Sequence, residues 1–136
     1  MTLHQVYPDR EKAKSIYKMV VQTLEMVKTI DQRKFPSNVL KDYYDIIRQL
    51  TEIQVLIRGY KAKGDAAHEE CFKFAEQSGI LNLTEFLLAE ELRKNRNRIE
   101  YEGFFIDAAY LTRKQKEITS LINKLTAVTK KEMDIK

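Results

Sequence analysis

Apolar residues recur every three or four positions along most of the chain, a spacing that predicts five helices. Between Asp9 and Ile30 the stripe is Ala13, Ile16, Val20, Leu24 and Val27, with Asp9 placed after Pro8 as an N-cap. A polar stretch then leads into Phe35-Pro36-Ser37-Asn38, where Pro36 disfavours helix at Phe35 and Ser37 or Asn38 can cap a new start. The second helix is the longest, marked by Leu40, Tyr43, Ile47, Leu50, Ile53, Ile57 and Tyr60 on one face and running to Lys63-Gly64. Asp65 begins a short third helix that carries Cys71, Phe72 and Phe74 and stops at Ser78-Gly79. Asn82 and Glu85 have the spacing of a capping box for a fourth helix, which continues through Phe86, Leu87, Leu88 and Leu92 toward Ile99. Gly103 interrupts the aromatic run Tyr101-Glu102-Gly103-Phe104-Phe105. A fifth helix follows from about Phe105 to Lys131 on Leu111, Ile118, Leu121, Ile122, Leu125 and Val128.

No segment alternates with period two for long enough to predict a strand, and no internal repeat is present. Each helix has an apolar stripe to bury and the connections are short. The expected fold is therefore all-α, an antiparallel up-and-down bundle of four long helices and one short one, forming a single domain over residues 1–136. Composition agrees: 43% of the 136 residues are hydrophobic, and four Gly and two Pro are too few for a disordered chain or a strand-rich sandwich. No apolar run approaches the roughly 20 residues of a membrane span. The first residues lack the apolar stretch of a signal peptide, so a cytoplasmic protein without membrane contact is expected.

Charge changes the picture only locally. The net charge of +4 is unevenly spread: +3 over residues 1–34 and +4 over 113–136, against −3 over 65–84 and −2 over 85–112. A positive surface would arise if the first and last helices met, although lysine-rich outer faces of small helical proteins are ordinarily just solvated. Lys130, Lys131 and Lys136 read as a frayed, solvated end.

One cluster stands apart. Arg93-Lys94-Asn95-Arg96-Asn97-Arg98 sets four cations into six residues near the C-terminus of the fourth helix, where the helix dipole favours positive charge. Glu90 and Glu91 stand four and three residues before Lys94, at salt-bridge spacing. Just beyond, Arg96 and Glu100 share a face, Asn97 and Tyr101 the next, and Ile99 points to the core. A guanidinium offers a fork of donors to a phosphate, an amide orients a neighbour, and a phenol donates or accepts. Arg93, Arg96 and Arg98 are thus candidate phosphate ligands, and Arg96, Asn97 and Tyr101 candidate catalytic residues.

At these residues the chain resembles the HEPN superfamily of small helical domains, many of which cleave or process RNA. The family motif is an Arg, a polar residue, and a His after four residues intervening from the Arg, near the end of the penultimate main helix. In Arg96-Asn97-Arg98-Ile99-Glu100-Tyr101 the Arg and the polar residue are in place, and Tyr101 stands where the family usually has His. The resemblance implies a homodimer with a cleft between protomers. It also implies a metal-independent endoribonuclease, of toxin-antitoxin or RNA-processing type, in which Arg96 stabilises charge on the phosphate and Asn97 holds the geometry. A phenol with an ordinary pKa near 10 is protonated at neutral pH, so Tyr101 is a hydrogen-bond donor and a poor base, which weakens such a site. Gly103 occupies the position of a Tyr that partner nucleotidyltransferases modify in some members, so that form of regulation is not expected.

Two alternatives stand beside an RNA-directed protein. One is a non-catalytic helical subunit, such as the partner of a nucleotidyltransferase. The other is purely structural, with Arg96 paired to Glu100 and Tyr101 packed at the bundle end. The two histidines lie outside the motif: His4 in an N-terminal segment expected to be mobile, His68 expected to be a surface or capping residue of an acidic helix. The one cysteine, Cys71, is a structural thiol by this reading and leaves no thiolate zinc site. The Glu-x-x-His pairs of a di-iron bundle are missing around Glu69, Glu90 and Glu91, as are a P-loop and Rossmann glycines, so neither metal nor cofactor is implied.

Overall fold

A computed structural model describes residues 3–64 and 66–135. The order is β1 (Leu3–Gln5), α1 (Arg10–Val27), α2 (Pro36–Ile57), β2 (Tyr60–Ala62), α3 (Ala67–Gln77), α4 (Leu83–Glu102) and α5 (Ala108–Glu132). Five helices make up most of the chain, as the periodicity predicts. The proposed start at Asp65 lies outside the described residues, as does Lys136.

Local chemistry sets most helix ends. Asp9 Oδ1 accepts from Lys12 N at 3.0 Å, capping α1 as expected. The capping box of α4 is complete: Asn82 Oδ1 accepts from Glu85 N at 2.8 Å, and Glu85 Oε1 from Asn82 N at 2.9 Å. The start of α2 differs from expectation. Phe35 is the N-cap and Pro36 the first helical residue, where its missing N–H costs nothing. Ser37 is buried instead, and its Oγ accepts from Ile106 N at 3.0 Å, pinning the α4–α5 connection to the start of α2. That connection holds α5 back to Ala108, capped by Asp107 Oδ1 on Tyr110 N at 2.8 Å, and not from Phe105.

The long second helix ends earlier than its stripe suggests, and two strands replace its tail. Beyond Ile57 the chain turns at Gly59, whose φ of +83° is open to glycine and where a Cβ would come within 3.0 Å of the Val6 carbonyl oxygen. Val6 N donates to Gly59 O at 2.8 Å, and β1 then pairs antiparallel with β2: Gln5 with Tyr60, His4 with Lys61, Leu3 with Ala62. His4 is therefore held in a ladder, contrary to the mobile segment expected for it. Three-residue strands are too short to leave a period-two signal, which is why the sequence pattern hides them.

α2 packs against every other helix. It is buried on more than one face: Ile53, Gln54, Val55 and Leu56 are consecutive and all nearly inaccessible, while Tyr43 and Ile57 of the expected stripe are only partly buried. A helix apolar nearly all round belongs at the centre of a fold. Two of its buried polar side chains are paired, Thr51 Oγ1 donating to Ile47 O at 2.8 Å and Gln54 Nε2 to Thr129 Oγ1 at 3.2 Å, while the buried Nε of Arg48 has no hydrogen-bond partner among the described residues. α1 and α5 both lie on α2, and they meet at one end, where Arg10 Nη2 donates to Glu132 O at 3.0 Å. No described helix is long and apolar enough to cross a membrane.

Candidate functional site

The first turn of α3 and one face of α4 enclose a groove of about 370 Å³. α4 contributes Arg93, Arg96, Asn97 and Tyr101, whose spacing of three, one and four residues puts them on a single helical face. α3 contributes His68 and Glu69, preceded by Gly64, Ala66 and Ala67, whose small or absent side chains leave the mouth open. Four of the five residues singled out from the sequence thus share this groove. Arg98 does not line it; its guanidinium lies 3.8 Å from the Phe104 ring centroid and 4.0 Å from Glu102.

The two groove arginines are in different electrostatic states. Arg93 Nε donates to Glu90 Oε2 at 2.7 Å, and its Nη2 lies 3.9 Å from Glu69, so its charge is compensated. Arg96 has no carboxylate within 4 Å among the described residues; its Nη1 reaches Asn97 Oδ1 at 3.4 Å, and its guanidinium sits 5.9 Å from the Tyr101 ring centroid. The Arg96–Glu100 pair of the structural reading is not formed. Glu100 pairs with Lys41 at 2.6 Å, and Lys41 foremost, with Arg96 behind it, holds that carboxylate below its ordinary pKa. Nor is Tyr101 packed away: 76% of its surface is exposed. The expected pairing of Lys94 with Glu90 and Glu91 is replaced as well, since Glu90 serves Arg93, and Glu91 accepts from the Tyr110 hydroxyl at 2.6 Å and pairs with Lys114 at 3.2 Å.

His68 is the residue that the sequence did not single out for this site. It is half-buried, and its Nδ1 lies 3.1 Å from the hydroxyl of Tyr44, which α2 holds at zero exposure against Phe72. Burial first, then the cations Arg48, Arg96 and Arg93, push the imidazole down from 6.5 to about 4, so it is neutral at pH 7. Burial raises the Tyr44 phenol well above its ordinary value, keeping it protonated. Tyr44 and His68 are 24 residues apart on different helices, and no local pattern announces their pairing. On its other side His68 borders a smaller cavity of about 130 Å³, with Arg48, Glu52, Tyr60 and Cys71 among its walls. Arg48 there is bracketed by Glu52 at 3.3 Å and Asp45 at 3.9 Å. Cys71 is buried, its thiol pushed up to about 11 chiefly by burial, which suits the structural thiol expected from the sequence.

Together these groups form an open groove with one guanidinium that has no carboxylate partner among the described residues, an amide beside it, an exposed phenol and a neutral imidazole. That set can bind a singly charged oxyanion on Arg96, donate to it from Tyr101 and accept a proton on His68. No family model matches the chain, and neither a curated protein nor a solved structure matches it.

Proposed function

We propose that this is an RNA-directed protein of HEPN type, whose α3–α4 groove takes a phosphodiester and cleaves it without a metal ion. On this reading the four long helices form an antiparallel up-and-down bundle, and two copies associate so that their grooves adjoin. The observation that carries the proposal is Arg96. A guanidinium with no carboxylate partner among the described residues, in an open groove and flanked by Asn97 and Tyr101, suits an anionic ligand, since a purely structural arginine ordinarily finds a carboxylate or carbonyl. Because the surrounding chain is net negative over residues 65–112, the attraction comes from this local geometry and not from bulk charge.

The test is incubation of the purified protein with structured RNA in EDTA. Cleavage by the wild type that Arg96→Ala abolishes supports the proposal, and absence of both binding and cleavage overturns it.

A second reading, a non-catalytic helical subunit such as the partner of a nucleotidyltransferase, is favoured by one separate observation. Tyr101 and Phe105 expose 76% and 82% of their surfaces on either side of Gly103, a pair of aromatics suited to a protein contact. On that reading the wild type cleaves no RNA, and Phe105→Glu disrupts association measured by sedimentation. A monomer at every concentration speaks against the homodimer.

A further inference from the structure

Resting on the reading of the groove as a phosphodiester site, we propose that His68, and not Tyr101, is its proton acceptor, and that Tyr44 is the positioning residue that holds the imidazole. The motif position that the family fills with His is Tyr101, an exposed phenol at the groove. His68 is the one imidazole in the lining, brought there from another helix. It is anchored by Tyr44, whose own ring is immobilised between α2 and α3 by edge contact with Phe72. A proton acceptor needs a fixed ring and a free nitrogen: in the tautomer whose Nδ1–H donates to the Tyr44 hydroxyl oxygen, Nε2 carries no proton and is the accepting atom.

The step balances within this set. With the phosphodiester held on Arg96, the ribose 2′-hydroxyl gives its proton to His68 as its oxygen bonds to phosphorus. The bond from phosphorus to the 5′-oxygen breaks, and that oxygen takes the proton of the Tyr101 hydroxyl. Products are a 2′,3′-cyclic phosphate and a 5′-hydroxyl; solvent then returns a proton to Tyr101 and removes one from His68. No oxidant, metal or further reactant enters.

The groups facing His68 set its pH range. Tyr44, Arg48 and Glu52 come from α2, Tyr60 and Lys61 from β2, Glu69 and Cys71 from its own helix, and Arg93, Arg96 and Tyr101 from α4. The burial and the three guanidiniums that lower its basicity keep it unprotonated to about pH 4.

The experiment follows cleavage of a uridine-only oligoribonucleotide, whose bases gain no proton in the acidic range, with kcat/KM measured against pH. The wild type is expected to form the cyclic phosphate and to lose activity only near pH 4. His68→Gln, checked for native fold by circular dichroism, is expected to lose at least about 100-fold in kcat. Arg48→Gln lies outside the groove and removes a cation that lowers the basicity of His68, so it is expected to move the acidic limb upward toward 6.5. A merely structural role for His68 would leave that limb in place. Tyr44→Phe keeps the ring and is expected to lower kcat with KM unchanged. Wild-type cleavage that survives in His68→Gln, or a limb that Arg48→Gln leaves unmoved, overturns the assignment while the RNA-directed reading stands. A wild type that binds RNA without cleaving it overturns this assignment alone, and one that neither binds nor cleaves RNA overturns both.

Discussion

Two clefts flank α4, and they differ in what their walls leave unpaired. The larger, about 470 Å³ between α4 and α5, is walled by Leu87, Leu88 and Leu121, with Glu85, Glu91 and Lys114 at its edges. Glu85 holds Lys124 at 2.6 Å, and Lys114 reaches Glu91 at 3.2 Å and Glu117 at 3.6 Å, while Lys116 of the same lining has no ion-pair partner among the described residues. Glu91 also accepts from Tyr110, which Asn95 contacts at 2.9 Å. The smaller groove beside α3 holds Arg96, with no carboxylate partner among the described residues, and His68 kept neutral. Size therefore does not rank these clefts by chemistry. What sets the smaller one apart is that a guanidinium, an amide, a phenol and a neutral imidazole converge in it.

Four measurements would break or sharpen that contrast. Leu92 is fully buried on α4, the helix that both clefts share, and Leu92→Ala is expected to cost about 2–5 kcal/mol in urea unfolding. A loss well below that would mean α4 is held by its polar pairs and not by its core face. Next, Arg96→Ala is expected to lower RNA cleavage about 100-fold, the usual scale for removing a charged donor from a reacting oxyanion, whereas Glu91→Gln in the larger cleft leaves it unchanged. Equal effects from the two variants would erase the distinction between the clefts.

The third measurement concerns pH. His68 has a lower pKa folded, about 4, than its ordinary 6.5, so between those values the unfolded chain binds more protons and stability falls as pH falls. The full shift corresponds to about 3 kcal/mol, and half-exposure of the ring reduces this to about 1–2 kcal/mol. His68→Gln is expected to flatten the unfolding free energy between pH 6.5 and 4; an unchanged slope would mean the imidazole titrates normally. The smallest effect belongs to the paired cleft. Burial raises the Glu91 pKa, but the hydrogen bonds from Tyr110 and Lys114 outweigh it and leave the carboxylate below its ordinary value. Tyr110→Phe is expected to cost about 0.5–1.5 kcal/mol and to bring the Glu91 titration, followed by NMR, back upward.

Helix starts were readable at Asp9 and Asn82, where the donor and acceptor of the cap lie within three residues, although the equally local cap of Asp107 on Tyr110 was not read from the sequence. They were misread where a distant partner claimed the cap: Ser37 serves Ile106, 69 residues away. Likewise, Arg93, Arg96, Asn97 and Tyr101 were found because one helical face is a property of spacing, and that spacing survives folding. Arg98 carried the same charge in the same run, yet it stacks on Phe104 on another side of α4.

What the order of residues determined by itself is the set of helices, the caps of α1 and α4 and the polar face of α4, since each depends on neighbours one turn apart. Only the tertiary structure decided that α2 stands at the centre, that Gly59 ends it so that β1 and β2 can pair, and that His68 meets Tyr44 beside Arg96. Those contacts join residues dozens of positions apart. Packing of whole helices sets them, and the resulting burial, with the nearby guanidiniums, keeps the His68 imidazole neutral beside Arg96.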